Sequence, residues 1–175
     1  ATGSQSYIPA MDMLDCNAVA TVDDVLLNRK PLGSRVVIAD WKGDWIGVGI
    51  AEKLAREGHD VRLYCNAALV GEALQTYTRN HYVGRLYKCG VEMHTHARLY
   101  GCDEDTVFFQ NTLSNEAIVV EGVNSLVASL GYHSESALEE ELRDAQIPTT
   151  AIGDCVVPRS AEEAIYEGLT VAMEI

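Results

Sequence analysis

No stretch of this 175-residue sequence strings together the ~18 apolar residues needed to cross a bilayer. No basic run extends beyond Asn28-Arg29-Lys30, and the formal net charge is -13. Phosphate backbones and anionic lipid attract basic faces, so neither nucleic acid nor a membrane is an expected partner. Acidity does not exclude a nucleotide, because a single pyrophosphate can be held by backbone N–H groups at a helix N-terminus. Ala1-Thr2-Gly3 carries no initiator methionine, no basic n-region and no apolar h-region, so no membrane targeting is expected. The cysteines Cys16, Cys65, Cys89, Cys102 and Cys155 contain no CxxC pair. Their odd number and scatter lead to the expectation of reduced thiols in a cytoplasmic protein. What is present is 47% apolar residues, enough for one sizeable core, alone or with appended pieces.

From Arg35 onward strands and helices alternate. Arg35 to Asp40 is an apolar run of the length expected for a buried parallel strand. Gly47 to Glu57 follows, with Ile50, Ala51, Leu54 and Ala55 on one helical stripe, charged residues opposite and Gly58 as the stop. Val61 to Cys65 completes a βαβ unit, which favours a right-handed crossover and a parallel sheet. A second helix is predicted over Glu72 to Lys88, stopped at Gly90, with Val91 to His96 returning as a strand. Thr106 to Gln110 and Ala117 to Glu121 read as an antiparallel hairpin, and Leu126 to Gly131 as a further strand. Ser136-x-x-Glu139 and Ser160-x-x-Glu163 fit capping boxes, so helices should begin near 137 and 161, with a short strand at Thr149 to Ile152 between them. Linkers are expected at Ser4 to Pro9 and Arg29 to Gly33.

The turn after the first strand of the βαβ unit, Asp40 to Gly49, sits where a dinucleotide fold needs glycines to bring phosphate to the backbone. Gly47 can serve as the third glycine, which permits close helix-to-strand packing, but Lys42 and Asp44 stand where the first two belong. An aspartate beside a pyrophosphate is repulsive, and Tyr64-Cys65-Asn66 offers no acid for an adenosine ribose. The residues Asp40, Lys42 and Asp44 thus replace a working phosphate loop. If NAD(P)H does bind, the candidate contacts are Lys42, Gly43 and Gly47. Near the C-terminus, Ile152-Gly153-Asp154 puts a carboxylate close to the start of a capped helix, well placed for sugar or ribityl hydroxyls; a plain turn cap is the structural alternative. His94 and His96 alternate along one strand face without a carboxylate or thiol at matching spacing, so no metal site is expected. Cys155 lacks a resolving partner, and Trp41 and Trp45 read as apolar cover for the sheet end before they read as an adenine platform.

Gly153-Asp154-Cys155, Pro158-Arg159 and Ala164-Ile165-Tyr166-Glu167-Gly168 together resemble the closing flavin-segment motif of the trimethylamine dehydrogenase and 2,4-dienoyl-CoA reductase family of NADH:flavin oxidoreductases. Ala1-Thr2-Gly3 resembles that family's crossing out of its FAD-type domain. Ala51-Glu52-Lys53-Leu54-Ala55 with Gly58, His59 and Val61 is similar to its inserted Rossmann helix and strand, and Ser129-Leu130-Gly131 to the return crossing. The resemblance covers nearly the whole chain. It implies a fragment divided into residues 1–30 (crossing segment), 31–131 (inserted NAD(P)-type domain) and 132–175 (closing segment of the FAD/ADP-binding domain).

The same resemblance implies that Asp154 meets the ribitol of FAD or its ADP counterpart, that Gly153 gives close backbone approach, and that Ala1, Thr2 and Gly3 line the same nucleotide. FMN and a 4Fe-4S cluster would belong to an N-terminal flavin barrel that this chain does not contain. The degenerate turn resembles the trimethylamine dehydrogenase branch and argues against direct NAD(P)H oxidation. The expected fold is therefore α/β: a Rossmann-like parallel sheet flanked by helices, a small antiparallel extension and an FAD-type closing segment. Its role is nucleotide binding without catalytic residues. The expected partners are the barrel and the other half of the FAD-type domain, an electron-transfer protein, and a second copy if exposed faces drive a homo-oligomer. The alternatives are an NAD(P)H domain that delivers hydride to FAD and a purely structural Rossmann-like module.

Overall fold

The computed structural model describes residues 3–10 and 19–174. Strand β1 (Ser4–Ser6) belongs to the smaller of two compact units, which includes Tyr7 and resumes at Gly131. The larger unit, Ile8–Leu130, holds β2 (Val19–Thr21), α1 (Val22–Leu26), β3 (Arg35–Asp40), α2 (Trp45–Arg56), β4 (Asp60–Cys65) and α3 (Thr76–Lys88). It continues through β5 (Glu92–His94), β6 (Ala97–Asp103), β7 (Thr106–Asn111), β8 (Ala117–Val120) and β9 (Ser125–Ser129). The smaller unit then adds β10 (Tyr132–Ser134), α4 (Ala137–Asp144), a single 3-10 turn (Gly153–Cys155) and α5 (Ala161–Glu174).

In the larger unit five strands form a parallel sheet in the order β2-β9-β3-β4-β5. The pleat of β3 explains why its sequence is continuously apolar. Val36 and Ile38 enter a core with Val48, Ala51 and Leu54 of α2, while Val37 and Ala39 enter a second core with Leu99, Val107 and Phe109 of the antiparallel β6-β7-β8 sheet. The parallel sheet is thus covered by helices on one face and by a second sheet on the other. Tyr64 of β4 reaches into the second core and stacks on Phe109, with ring centroids 4.4 Å apart.

Local chemistry ends the helices where the glycines stand. After α2, Gly58 at φ +94 allows His59 N to donate to Leu54 O and Gly58 N to Ala55 O, closing the last turn. Gly90 at φ +78 does the same for α3 through Val91 N to Leu86 O and Gly90 N to Tyr87 O. The start of α2 is set by Asp44, whose carboxylate accepts from Ile46 N at 2.9 Å, so the helix begins two residues before Gly47. Buried Glu52 ties α2 to α3 by accepting from Arg85 Nε at 2.8 Å and pairing with Arg56 at 2.6 Å.

Several expectations are corrected. Helix α3 starts at Thr76 and not at Glu72, because Gly71 at φ +69 and the Leu74 N to Gly71 O bond make a turn there. The strand expected over Val91 to His96 stops at His94, and His96 stands in the left-handed region at φ +56. The antiparallel piece has three strands, since Ala97–Asp103 pairs with β7 through a register shift between Leu99 and Gly101. Thr149 to Ile152 is not a strand; nothing pairs with it among the described residues. Both terminal helices begin as expected, but Ser136 makes no side-chain cap, and Ala137 N donates to Glu135 Oε1 instead. Before residue 31, β2 and α1 already form part of the larger unit. Capping of α1 is reciprocal, with Thr21 N on Asp24 Oδ2 at 2.9 Å and Asp24 N on Thr21 Oγ1 at 3.1 Å. Among the described residues, Cys65, Cys89 and Cys155 are free.

Candidate nucleotide-binding sites

The first candidate site lies at the C-terminal end of β3 in the larger unit. Asp40 is fully buried at the end of that strand, in register with Ser129 of β9 on one side and Cys65 of β4 on the other. Its Oδ1 accepts from the backbone N–H groups of Lys42 (3.2 Å) and Gly43 (3.1 Å). Its Oδ2 has no hydrogen-bond partner and lies against Gly47. Burial raises the Asp40 carboxyl from its ordinary 3.8 to about 6; the Gly43 N–H opposes this, the nearby charge of Asp44 adds to it, and the Lys42 N–H and Ser129 hydroxyl pull it back. Burial together with the Asp40 charge pushes the Cys65 thiol up to about 11, so Cys65 is not a nucleophile at neutral pH.

Around this carboxylate, Gly43 at φ +60 places its carbonyl to accept from Ala73 N at 3.0 Å, tying the loop to the turn before α3. Lys42 is exposed and makes no ion pair among the described residues. Trp41 is half-buried against the second core with the Arg98 guanidinium 5.6 Å from its ring, and exposed Trp45 meets Tyr82 edge-on at 5.7 Å. Both tryptophans are therefore engaged with this chain's own side chains. His94 stacks on Tyr64 at 4.3 Å, and His96 does not share its strand face; among the described residues no group of three potential ligands could hold a metal ion.

The second candidate site lies in the smaller unit. Gly153, Asp154 and Gly3, three residues singled out from the sequence, line one open cavity of about 550 Å³ together with Ser136, Thr150 and Ala164. Ala1 and Thr2 lie outside the described residues. Gly153 adopts φ +71, where only glycine is unstrained, and a Cβ there would stand 3.4 Å from Ala164 Cβ of α5. Its N–H donates to Glu167 Oε2 at 2.7 Å, Glu167 pairs in turn with Arg159, and the Arg159 N–H reaches Asp154 Oδ1 at 3.3 Å. The Gly153 N–H, followed by the Arg159 guanidinium, holds the Glu167 carboxyl below the usual carboxylate range. This closed circuit fixes the Gly153–Asp154 turn from behind. The sequence placed the turn near a helix start but did not reveal Glu167 as its anchor, because the contact joins residues 14 apart. The cavity is lined by two carboxylate residues, Glu139 and Asp154, by the hydroxyl residues Ser136, Thr149 and Thr150, and by apolar walls, a set suited to a polyhydroxylated ligand.

No protein-family model matches the chain, and no curated protein matches its sequence. Its fold is shared with solved structures. Histamine dehydrogenase from Rhizobium sp. 4-9 aligns over 100% of this chain and 30% of its own, with a TM-score of 0.89 and 23% identity. A 2-naphthoyl-CoA reductase, solved with 2-naphthoyl-CoA, aligns over 100% of this chain and 26% of its own, with a TM-score of 0.87 and 23% identity. The HOCl-induced flavoprotein disulfide reductase from Escherichia coli covers 100% of this chain with 43% of its own, at a TM-score of 0.69 and 20% identity. The chain therefore has the α/β fold of a region of these oxidoreductases and spans less than half the length of each.

Proposed function

We propose that this chain is the nucleotide-binding region of a larger flavin-dependent oxidoreductase similar to trimethylamine dehydrogenase and the dienoyl-CoA reductases, and that its own nucleotide contact lies in the smaller unit. The observation that carries this reading is the convergence of Gly3, Gly153 and Asp154 on one cavity. There Asp154 would accept hydrogen bonds from the ribitol of FAD or the ribose of ADP, and Gly153 would let the backbone approach. The β3–α2 loop takes no dinucleotide in this reading, because Lys42 and Asp44 stand at two of its glycine positions and the Asp40 and Asp44 carboxylates already hold loop N–H groups. The named neighbours, one acting on an amine and one on an aromatic thioester, support a parent enzyme of either substrate class.

Catalysis would lie elsewhere in that parent, on FMN in the N-terminal flavin barrel, with a 4Fe-4S cluster and a protein acceptor carrying electrons away. Helix α5 supports the reading that this is one piece of a larger assembly: Ile165, Tyr166, Leu169 and Met173 are all exposed, and none of its described residues is buried. The FAD-type half-domain of the same polypeptide would cover it. The test is the nucleotide content of the polypeptide that contains this chain. Heat-denatured protein should release stoichiometric FAD or ADP and no NAD(H), and Asp154→Ala should deplete that nucleotide. Release of NAD(H), or undiminished nucleotide in the variant, contradicts the proposal.

A further inference from the structure

We propose that the Asp40 carboxylate is the specificity-determining group of the β3–α2 loop, a built-in anion that occupies the backbone donors a phosphate would need and so makes the loop reject pyrophosphates. The inference rests on the reading above that this loop takes no dinucleotide, and it names the residue responsible. A glycine-containing turn leading into a helix is an ordinary seat for phosphate because its N–H groups point outward with no partner of their own. Here those donors are already engaged from within: Asp40 Oδ1 holds Lys42 N and Gly43 N, and Asp44 holds Ile46 N.

The two carboxylates are not equivalent. Asp44 is a half-buried N-cap, and a side chain in that position can rotate toward water and release its donor. Asp40 is fully buried, lies against Gly47, and sits in register between Ser129 and Cys65, so it has no solvent-facing rotamer to adopt. No hydrogen-bond donor meets its second oxygen, and the nearby Ser129 hydroxyl offsets the charge only in part. An incoming phosphate would have to take the Lys42 and Gly43 donors from a group of its own sign, across a distance where repulsion is weakly screened. Replacing Asp40 should therefore do more than restoring either absent glycine.

The test is a titration of the chain with inorganic pyrophosphate, followed through the backbone amide resonances of Lys42 and Gly43. Wild type and the surface control Asp103→Asn should show no saturable shift at these amides. Asp40→Ala should bind at least about tenfold more tightly, because donors and charge are both released. Asp40→Asn should fall between, since its carboxamide oxygen still accepts from the same N–H groups without the charge. If Asp40→Ala does not retain the native amide spectrum, Asp40→Asn decides alone, with about threefold tighter binding expected. Folded variants without any gain, or an equal gain in Asp103→Asn, overturn the proposal. Saturable NADH binding at wild-type Lys42 and Gly43 would instead sink the preceding reading, whereas silent wild type with unimproved variants sinks this inference alone.

Discussion

The carboxylate of Asp40 fills the space that a side chain at position 47 would need: a Cβ on Gly47 would stand 2.5 Å from Asp40 Cγ and Oδ2 and 2.9 Å from Oδ1. Strand β3 and helix α2 approach this closely because one residue supplies the buried acid and the other supplies nothing. Gly47→Ala should accordingly cost about 1–3 kcal/mol, the usual range for overpacking a tight contact. Most of that cost should vanish in an Asp40→Ala background. A double-mutant cycle in urea measures the coupling, and additive losses would show that Gly47 is confined by something other than Asp40.

The same carboxylate gives the larger unit a pH signature. Its folded pKa, about 6, lies above the ordinary 3.8, chiefly through burial. Between those values the native state keeps a proton that the unfolded chain has released. Stability from this group is therefore fully present below about 4 and is lost as pH rises toward 6, by an amount on the order of 3 kcal/mol. Asp24 works in the opposite sense: the Thr21 N–H lowers its pKa, so its contribution is present above the ordinary value and fades as pH falls further. Asp40→Asn should flatten the pH 4–6 slope and leave the acid-side loss unchanged. Parallel denaturation curves for wild type and variant across that window would contradict the assignment.

Buried Glu52 holds α3 through Arg85, whose guanidinium also lies 5.3 Å from the Tyr82 ring centre. Arg85→Met leaves Glu52 with Arg56 alone, so the loss should be about 1–2 kcal/mol, below the cost of stranding a buried charge completely. Because Leu86 is the single buried residue among those of α3, the weakening should localise there. Hydrogen exchange should accelerate across Thr76–Lys88 while β3 and β4 keep their protection; uniform acceleration would mean that the ion pair stabilises the whole unit instead.

The parallel sheet was legible because β3 and β9 are covered on both faces and therefore carry uninterrupted apolar runs, and because Gly58 and Gly90 mark helix ends that require positive φ. Strand β6 was not legible. Its alternation of buried and exposed residues breaks where Gly101 and Cys102 are both buried beside the register shift, so no clean period of two survives. At the candidate sites, Gly47 stood out by spacing, whereas Gly3, Gly153 and Asp154 were singled out through the family resemblance, since local spacing alone favours a plain turn cap at Asp154. The interior position of Asp40 did not stand out, because a carboxylate at a strand end ordinarily reads as the start of an exposed loop. The Glu167 anchor was hidden for a different reason: on a helix pattern it is one more charged residue, and only the fold brings it to Gly153.

On the proposed reading, nucleotide binds at the Gly153–Asp154 cavity and not at the Lys42–Gly47 loop. Calorimetric titration of this chain with ADP, FAD, NADH and NADPH at low salt, beside Lys42→Ala and Asp154→Ala, tests it most directly. The expected result is no saturable heat from NADH or NADPH, and weak ADP or FAD binding that Asp154→Ala abolishes and Lys42→Ala leaves intact. Micromolar NADH or NADPH binding weakened by Lys42→Ala would contradict it and make the larger unit a hydride-delivering domain.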